Sequence, residues 1–262
     1  MAILCIDIGN TITDYGLVAG NQIQWVQQLP TAELADPQNG LSAKLASASL
    51  PQEDWEGLAF CSVDPSAAPA VHQLRIGERH IFQLTCKNCS GLSICVDRPE
   101  EVGQDRLANA IAAQTQIGTP SIVIDMGTAV TLDIVTDSGY EGGIIAPGLE
   151  VMTRYLHEQT ALLPRLDPEQ LKVSAPIGKT TLQAMQLGCT VGLAGMIHGL
   201  LDWVREALKE KGIGESQVVI TGGSRQYLPP SWLQDIPYSP HLTLLGLAEA
   251  YRRNCSETGG GQ

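Results

Sequence analysis

The sequence predicts an α/β fold built from two copies of one domain plan, and three observations carry that prediction. The segment Cys5-Ile6-Asp7-Ile8-Gly9-Asn10 returns as Ile124-Asp125-Met126-Gly127-Thr128, offset by 118 residues. Asp7 thus falls on Asp125, Gly9 on Gly127, Asn10 on Thr128 and Thr13 on Thr131. Each copy is followed by two further strand-like segments, which gives two meanders. Helical stretches fill much of the chain after each meander, and internal repetition of this kind marks duplication.

The elements follow in order. Ile3–Ile6 is apolar and partly β-branched, and it stops at the turn cluster Asp7–Thr11. Strands over about 13–18 and 22–28 follow across Ala19-Gly20-Asn21. Thr31–Pro51 reads as a loop with a weak helix, Gly57–Val63 as a short apolar strand, Val71–Ile76 as helical and Ile81–Leu84 as strand-like. Gln104–Gln116 is an alanine-rich helix ended by Gly118 and Pro120. The second copy supplies strands at Ser121–Asp125, Val130–Val135 and Tyr140–Ile145. Helices are predicted over about 149–159 and 179–209, a strand at Gln217–Ile220, the turn Thr221-Gly222-Gly223 and a last helix near Leu242–Arg253. The organisation expected is one half over 1–117, a second over 118–255, and a disordered glycine-rich tail over 256–262.

Charge narrows the partners. Lys and Arg number 16 against 28 Asp and Glu, leaving a formal net charge of −12. That sign excludes a surface that holds nucleic acid or an anionic membrane through basic patches. Seven cysteines, an odd number in a chain of this length, do not form a disulfide framework. No basic leader precedes the first strand, so a reducing cytoplasm is the expected compartment. The longest uncharged run, Thr180–Leu201, could span a bilayer by length. Its Gln183, Gln186, His198 and four glycines, with Lys179 and Asp202 at its edges, point instead to a buried helix of a soluble domain.

Two places carry chemistry. At Asp7–Thr13 a glycine turn with neighbouring hydroxyls forms a concavity suited to phosphate, and Asp7 stands where a strand-end carboxylate can hold hydrated Mg²⁺. Alone, this is also how an ordinary hairpin turn reads; the copy at Asp125-Met126-Gly127-Thr128 favours a two-hairpin clamp on one polyphosphate. No Lys or Arg precedes Lys44, so the first hairpin has amides, hydroxyls and metal to work with. Gly178-Lys179-Thr180 looks like the end of a phosphate-binding P-loop, but Val173 stands where its first glycine belongs. The second place is Gly103-Gln104-Asp105-Arg106 at a helix start, where Asp105 reads either as a first-turn carboxylate favoured by the helix dipole or as a general base. Cys86-Lys87-Asn88-Cys89 is a lone C-x-x-C with Cys95 nearby, read as a solvent-near thiol pair without function. Gly188, Gly192, Gly195 and Gly199 share one helical face, which points to close helix packing, in the chain or across a dimer interface.

Taken together, Ile6-Asp7-Ile8-Gly9-Asn10-Thr11, Glu100-Glu101-Val102-Gly103-Gln104-Asp105-Arg106, Ile124-Asp125-Met126-Gly127-Thr128-Ala129-Val130-Thr131 and Glu141-Gly142-Gly143-Ile144-Ile145-Ala146-Pro147-Gly148 resemble type III pantothenate kinase. The resemblance implies the duplicated actin-like ATPase (ribonuclease H-like) fold of the sugar kinases, with the active site in the cleft between the two halves. It implies ATP-dependent phosphorylation of pantothenate to 4′-phosphopantothenate, the first step of coenzyme A biosynthesis, by a cytoplasmic homodimer. ATP phosphates would be bound by the segment Asp7, Ile8, Gly9, Asn10, Thr11, Ile12, Thr13 and Asp14, joined by Thr128. Gly103, Gln104, Asp105, Arg106 and Thr181 would contact pantothenate, with Asp105 the proton acceptor. Asp7 would hold Mg²⁺ through water, and Asp125 a monovalent cation, K⁺ or NH₄⁺. Some relatives carry a substrate-contacting tyrosine upstream of the Gly-x-Asp-Arg block, where this chain has Cys95-Val96-Asp97. Two alternatives stand beside this expectation: a kinase for another small alcohol on the same fold, and a non-catalytic regulatory homologue of accessory-factor type. The four residues Asp7, Asp105, Asp125 and Thr128 favour an enzyme, because a chain freed from catalysis need not keep them all.

Overall fold

The computed structural model describes the chain except for residues 49–54, 75, 168–170, 172, 174, 229–234 and 256–262. The tail over 256–262 therefore lies outside the described residues. The elements run β1 (Ala2–Ile8), β2 (Ile12–Ala19), β3 (Gln22–Pro30), α1 (Leu41–Ser47), β4 (Trp55–Ser62), α2 (Ala68–His72), β5 (His80–Gln83) and α3 (Gln104–Gln116). They continue as β6 (Ser121–Met126), β7 (Ala129–Thr136), β8 (Gly139–Pro147), α4 (Leu149–Glu158), α5 (Thr181–Glu210), β9 (Gln217–Thr221) and α6 (Leu242–Cys255).

The two sheets repeat one plan. The first has the order β3-β2-β1-β4-β5 and the second β8-β7-β6-β9. In both, the chain makes a three-strand meander and then places a later strand parallel to the first strand of the meander: β1 beside β4, β6 beside β9. Two-residue connections join β6 to β7 and β7 to β8, a length that only antiparallel neighbours allow.

The chain divides into two compact units. The first holds Met1–Gly118, Val135–Gly142 and the residues from His241 through α6; the second holds Thr119–Ile134 and Gly143–Pro240.

In the first unit the alternation of β1 sends Leu4, Ile6 and Ile8 into a core with Tyr15, Leu17, Leu58 and Phe60. Along the opposite face of β1 run Ile3, Cys5 and Asp7, and α6 packs on β1, β2 and β4. Helix α2 begins at Ala68 and ends at His72, earlier than the apolar pattern of Val71–Ile76 suggests, because Pro69 is a helix starter that sets its first turn.

Helices α3 and α6 lie unusually close. A β-carbon added at Gly246 would run into the carbonyl oxygen of Ala108. The buried Thr243 hydroxyl donates to Asn109 Oδ1 at 2.9 Å. At the other end Arg253 donates from Nη1 to Gln114 Oε1 at 3.0 Å and from Nη2 to Thr115 Oγ1 at 2.8 Å, while its Nε meets Glu249 at 2.9 Å.

In the second unit the core gathers Ile122, Ile124, Leu132 and Ile220 around α5, whose Cys189, Leu193, Ile197 and Leu201 are buried. Helix α5 is long and apolar enough to cross a membrane by length and composition. Its buried stripe packs in this core, as expected for the helix of a globular domain. Its four glycines do something else than the close packing the sequence suggests within one chain: a β-carbon at Gly188, Gly192, Gly195 or Gly199 would meet nothing within 4 Å. They lie on an outward face with Val191, which is 51% exposed, and Trp203, which is 74% exposed.

The α3–α6 contact generates a sign test. Alanine is ordinarily better than glycine inside a helix by ~1 kcal/mol. At Gly246 the overpacking cost of ~1–3 kcal/mol exceeds that gain. Gly246→Ala should therefore lower the melting temperature by several degrees in thermal denaturation; an unchanged or raised melting temperature would show that the two helices can part without penalty.

Candidate active site

In the first unit, a row of polar side chains crosses the sheet at the carboxyl end of β1. Asp7 lies opposite Asp14 on antiparallel β2 and beside Cys61 on parallel β4; Asp14 lies opposite Gln28 on β3. Directly paired residues share a face, so these four groups stand together. Gln28 Nε2 donates to Asp14 Oδ1 at 2.7 Å, and Cys61 Sγ donates to Asp7 Oδ1 at 3.2 Å. Burial raises the Asp14 carboxyl above the ordinary aspartate value, against the smaller opposing effects of Gln28 and of His241.

The hairpin beyond Asp7 is tightly built. Gly9 N–H donates to Ile12 O at 3.1 Å, and a β-carbon on Gly9 would lie 2.7 Å from that same oxygen. Asn10, Thr11 and Ile12 form its exposed tip, and Ile8 is buried behind it. Two groups expected to face phosphate are used otherwise. The Gly9 amide closes the turn, and Thr13 is fully buried, its hydroxyl 3.0 Å from that of Thr31, which donates to Gly9 O at 2.8 Å. Both hold the shape of the tip.

Helix α3 begins where β4 ends. The backbone N–H of Ser62 donates to Gln104 Oε1 at 2.9 Å, so the side-chain oxygen of Gln104 is occupied by the protein itself. Asp105 folds back over the helix start: its Oδ1 accepts the Arg106 N–H at 2.9 Å, and any side chain on Gly103 would collide with that oxygen. Burial raises the Asp105 carboxyl, outweighing the Arg106 backbone and guanidinium, which lower it. The Arg106 guanidinium lies 5.9 Å from the ring centre of the buried Tyr140. Asp7 and Asp105 both act electrostatically on Cys61, so the three groups share one neighbourhood in this unit.

In the second unit the repeated turn places Asp125 beside Thr221, its parallel partner on β9. Gly222, at φ +87°, passes so close that a β-carbon there would lie 2.6 Å from Asp125 Oδ1 and 2.5 Å from Met126 N. Thr128 is half-buried in the turn after β6. Thr181 is the exposed first residue of α5; the cap is Thr180, whose hydroxyl accepts from Gln183 N–H at 3.2 Å while Gln183 Oε1 accepts from Lys179 N–H at 2.9 Å.

Gln28, Thr31, Cys61, Tyr140 and His241 lie outside the sequence motifs. Their signals are weak, because each is a single residue whose neighbours come from distant parts of the chain. The C-x-x-C pair is corrected on one count. Cys89 is buried, its thiol donates to Thr85 O at 3.1 Å, and burial pushes it up to about 12, so it is not solvent-near. Among the described residues no cluster of three or more His, Cys, Asp or Glu is arranged to hold a metal by itself.

Comparison with known proteins decides the family. The family model described as type III pantothenate kinase matches residues 3–203. The chain belongs to the type III pantothenate kinase family. A type III pantothenate kinase of Methylacidiphilum infernorum is 35% identical over 246 residues, covering 93% of this chain and 86% of the relative. One of Listeria monocytogenes serovar 1/2a is 35% identical over 259 residues, covering 96% and 97%. Among solved structures, a Campylobacter jejuni protein described as a Baf family transcriptional activator aligns over 97% of this chain and 99% of its own with a TM-score of 0.62 at 18% identity. An activator of 2-hydroxyisocaproyl-CoA dehydratase from Clostridium difficile, solved with ADPNP, aligns over 100% and 99% with a TM-score of 0.53 at 15% identity. These likenesses are of fold, and the duplicated α/β plan expected from the sequence is the one found.

Asp105 supplies a prediction with two readouts of opposite expectation. Its folded-state carboxyl is raised, so the native state binds the proton more tightly than the unfolded chain does. Stability contributed by this group is therefore present at low pH and lost as pH rises through the raised value; at neutral pH its charge is a cost. Asp105→Asn should leave the melting temperature equal or higher while lowering kcat by ~10²–10⁴. A variant within a few-fold of wild-type activity would remove Asp105 from the chemistry. The acidic limb of the wild-type kcat/KM profile should lie above the ordinary aspartate range.

Proposed function

We propose that this chain phosphorylates the primary hydroxyl of pantothenate with ATP, giving 4′-phosphopantothenate. The observation that supports it best is the placement of Asp105: a carboxylate raised by burial, folded over Gly103 at the head of α3, in the same neighbourhood as the strand-end Asp7. Oδ1 is occupied by the Arg106 N–H, which leaves Oδ2 to accept the proton of the attacking hydroxyl. Burial makes that oxygen a better base than an ordinary aspartate at neutral pH. Phosphoryl transfer asks mostly for positioning and charge neutralisation, so a single well-held base suffices.

The Asp7–Thr11 tip is assigned to the ATP phosphates, with Ile8, Thr13 and the Gly9 amide shaping it and Asp14 bordering it. Thr128 is assigned to the same phosphates on the family's pattern. The donors at Asp7 are carboxylate oxygens at a strand end, which suit hydrated magnesium. Bound with ATP, magnesium would offset phosphate charge that this hairpin, preceded by no Lys or Arg, does not. Gly103 and Arg106 are assigned to pantothenate, with Gln104 holding α3 against β4, and Thr181 retains the contact that its family position implies.

Asp125 is assigned to a monovalent cation, K⁺ or NH₄⁺. Its Oδ1 lies close to Gly222 with Thr221 alongside, and a carboxylate oxygen suits a hard cation. The enzyme is further proposed to be a cytoplasmic homodimer whose interface is the outward stripe of α5, where open glycines flank Val191 and Trp203. An exposed apolar face of this kind is ordinarily covered by a partner.

The deciding experiment is a coupled ADP-release assay with pantothenate and a panel of other small alcohols. Pantothenate should be the acceptor turned over with the highest kcat/KM; a better alcohol in the panel would replace it as the substrate. Activity should require K⁺ or NH₄⁺ in addition to Mg²⁺, and Asp125→Ala should remove both most of the activity and the K⁺ response. Full activity in a strictly Na⁺ buffer would eliminate the cation site. For the dimer, Trp203→Glu should shift the molar mass measured by light scattering from two chains to one, whereas an unchanged mass would place the interface elsewhere.

A further inference from the structure

The carboxyl end of β4 touches both chemical groups of the first unit. Cys61 is fully buried, and its Sγ lies 3.2 Å from Asp7 Oδ1. Its parallel register with Asp7 puts the two side chains side by side on one face of the sheet. The next residue, Ser62, donates its backbone N–H to Gln104 Oε1 at 2.9 Å, in the first turn of α3 beside Asp105. Val63 N–H continues the ladder to Ile8 O at 3.1 Å, so this strand end is fixed to β1 on both sides of the contact.

The chemistry of the sulfur follows from its surroundings. The Cys61 thiol faces the Asp7 carboxylate at hydrogen-bond distance; a carboxylate only accepts, so the sulfur is the donor. A thiolate there would add a third negative charge to a pair of carboxylates in an acidic chain. Neither Asp7 nor the fold needs a nucleophile at this position, and the thiol faces a carboxylate, with which it has no covalent reaction.

We propose that Cys61 is a positioning residue for magnesium–nucleotide binding: its S–H bond to Oδ1 holds the Asp7 carboxylate in one orientation toward the metal's water shell. This rests on the assignment of Asp7 to the nucleotide site. The thiol does the work of a serine hydroxyl with a larger, less hydrated atom, filling a fully buried site next to the sheet while still donating. Cys61 is thus tied to nucleotide affinity, whereas Ser62 and Gln104 tie the same strand end to the helix that carries Asp105.

The test uses the full chain and reads binding apart from turnover. Mg·ADP affinity is measured by isothermal titration calorimetry for wild type, Cys61→Ala and Cys61→Ser, with KM for ATP, KM for pantothenate and kcat measured alongside. Cys61→Ala should weaken Mg·ADP by about tenfold, the order expected for one hydrogen bond to a charged group, and raise KM for ATP in parallel. Its KM for pantothenate and kcat should stay within about twofold, since the α3 contact runs through Ser62 and Gln104 rather than through this thiol. Cys61→Ser keeps a donor and should recover most of the affinity. An Ala variant that binds as wild type, or a Ser variant as weak as Ala, overturns the proposal. Should Ala fail to fold, the isosteric pair Cys61→Thr and Cys61→Val makes the same comparison of donor against no donor. Wild type that binds Mg·ADP but does not phosphorylate pantothenate would refute the substrate assignment and leave this inference standing.

Discussion

The grip of α6 on α3 sets how well everything at the head of α3 is placed. Gly246 lets the two backbones meet at Ala108, a buried Thr243–Asn109 hydrogen bond fixes the rotation, and the Arg253 cluster pins the far end. A helix clamped along its length cannot shift its first turn independently. Gln104 then docks on Ser62, and Asp105 folds over Gly103, where any side chain would block it. Remove the helix contact and Asp105 loses its reference to the sheet, although no residue around it has changed.

The electrostatics of the first unit push in one direction. Asp7, Asp14 and Asp105 gather with a neutral thiol near the ends of β1, β2 and β4, in a chain of net charge −12. Carboxylates partly out of water resist ionisation, as the raised Asp14 and Asp105 show. Buried carboxylates of this kind cost stability, and a bound cation would offset that cost. Stability given up at the site is recovered in the apolar sheet face and the α3–α6 seam, an arrangement common where function demands clustered charge.

The repeated hairpins were legible because a strand that ends in Asp-x-Gly needs only local sequence to declare itself. The same holds for α3, whose alanine-rich pattern matches its burial from Leu107 to Ala113, and for the identity of Asp105 as the residue to watch. Thr13 and Gln104 were legible as members of their motifs but not in their partners: both spend side-chain hydrogen bonds within the protein, a choice made by residues 18 and 42 positions away. Cys61 had no motif at all. Its place is set by strand register between β1 and β4, which are separated by a meander and a helix, and register over that distance leaves no local trace. The outward glycines of α5 mark the converse case, where a clear helical pattern fixed which residues share a face but not what that face meets.

The first unit cannot be completed until α6 exists. Its sheet and α3 are made early, yet the helix that covers β1, β2 and β4 and seats against α3 begins only at Leu242. During synthesis the apolar face of α3 and the Ile3–Cys5 side of β1 must therefore wait, exposed, while the whole second unit is translated. The contacts that close the unit join residues more than 130 positions apart, a slow search for any chain. A product that stops before α6 would present open apolar surface to chaperones and proteases, so the first unit is sealed only by its most sequence-distant helix.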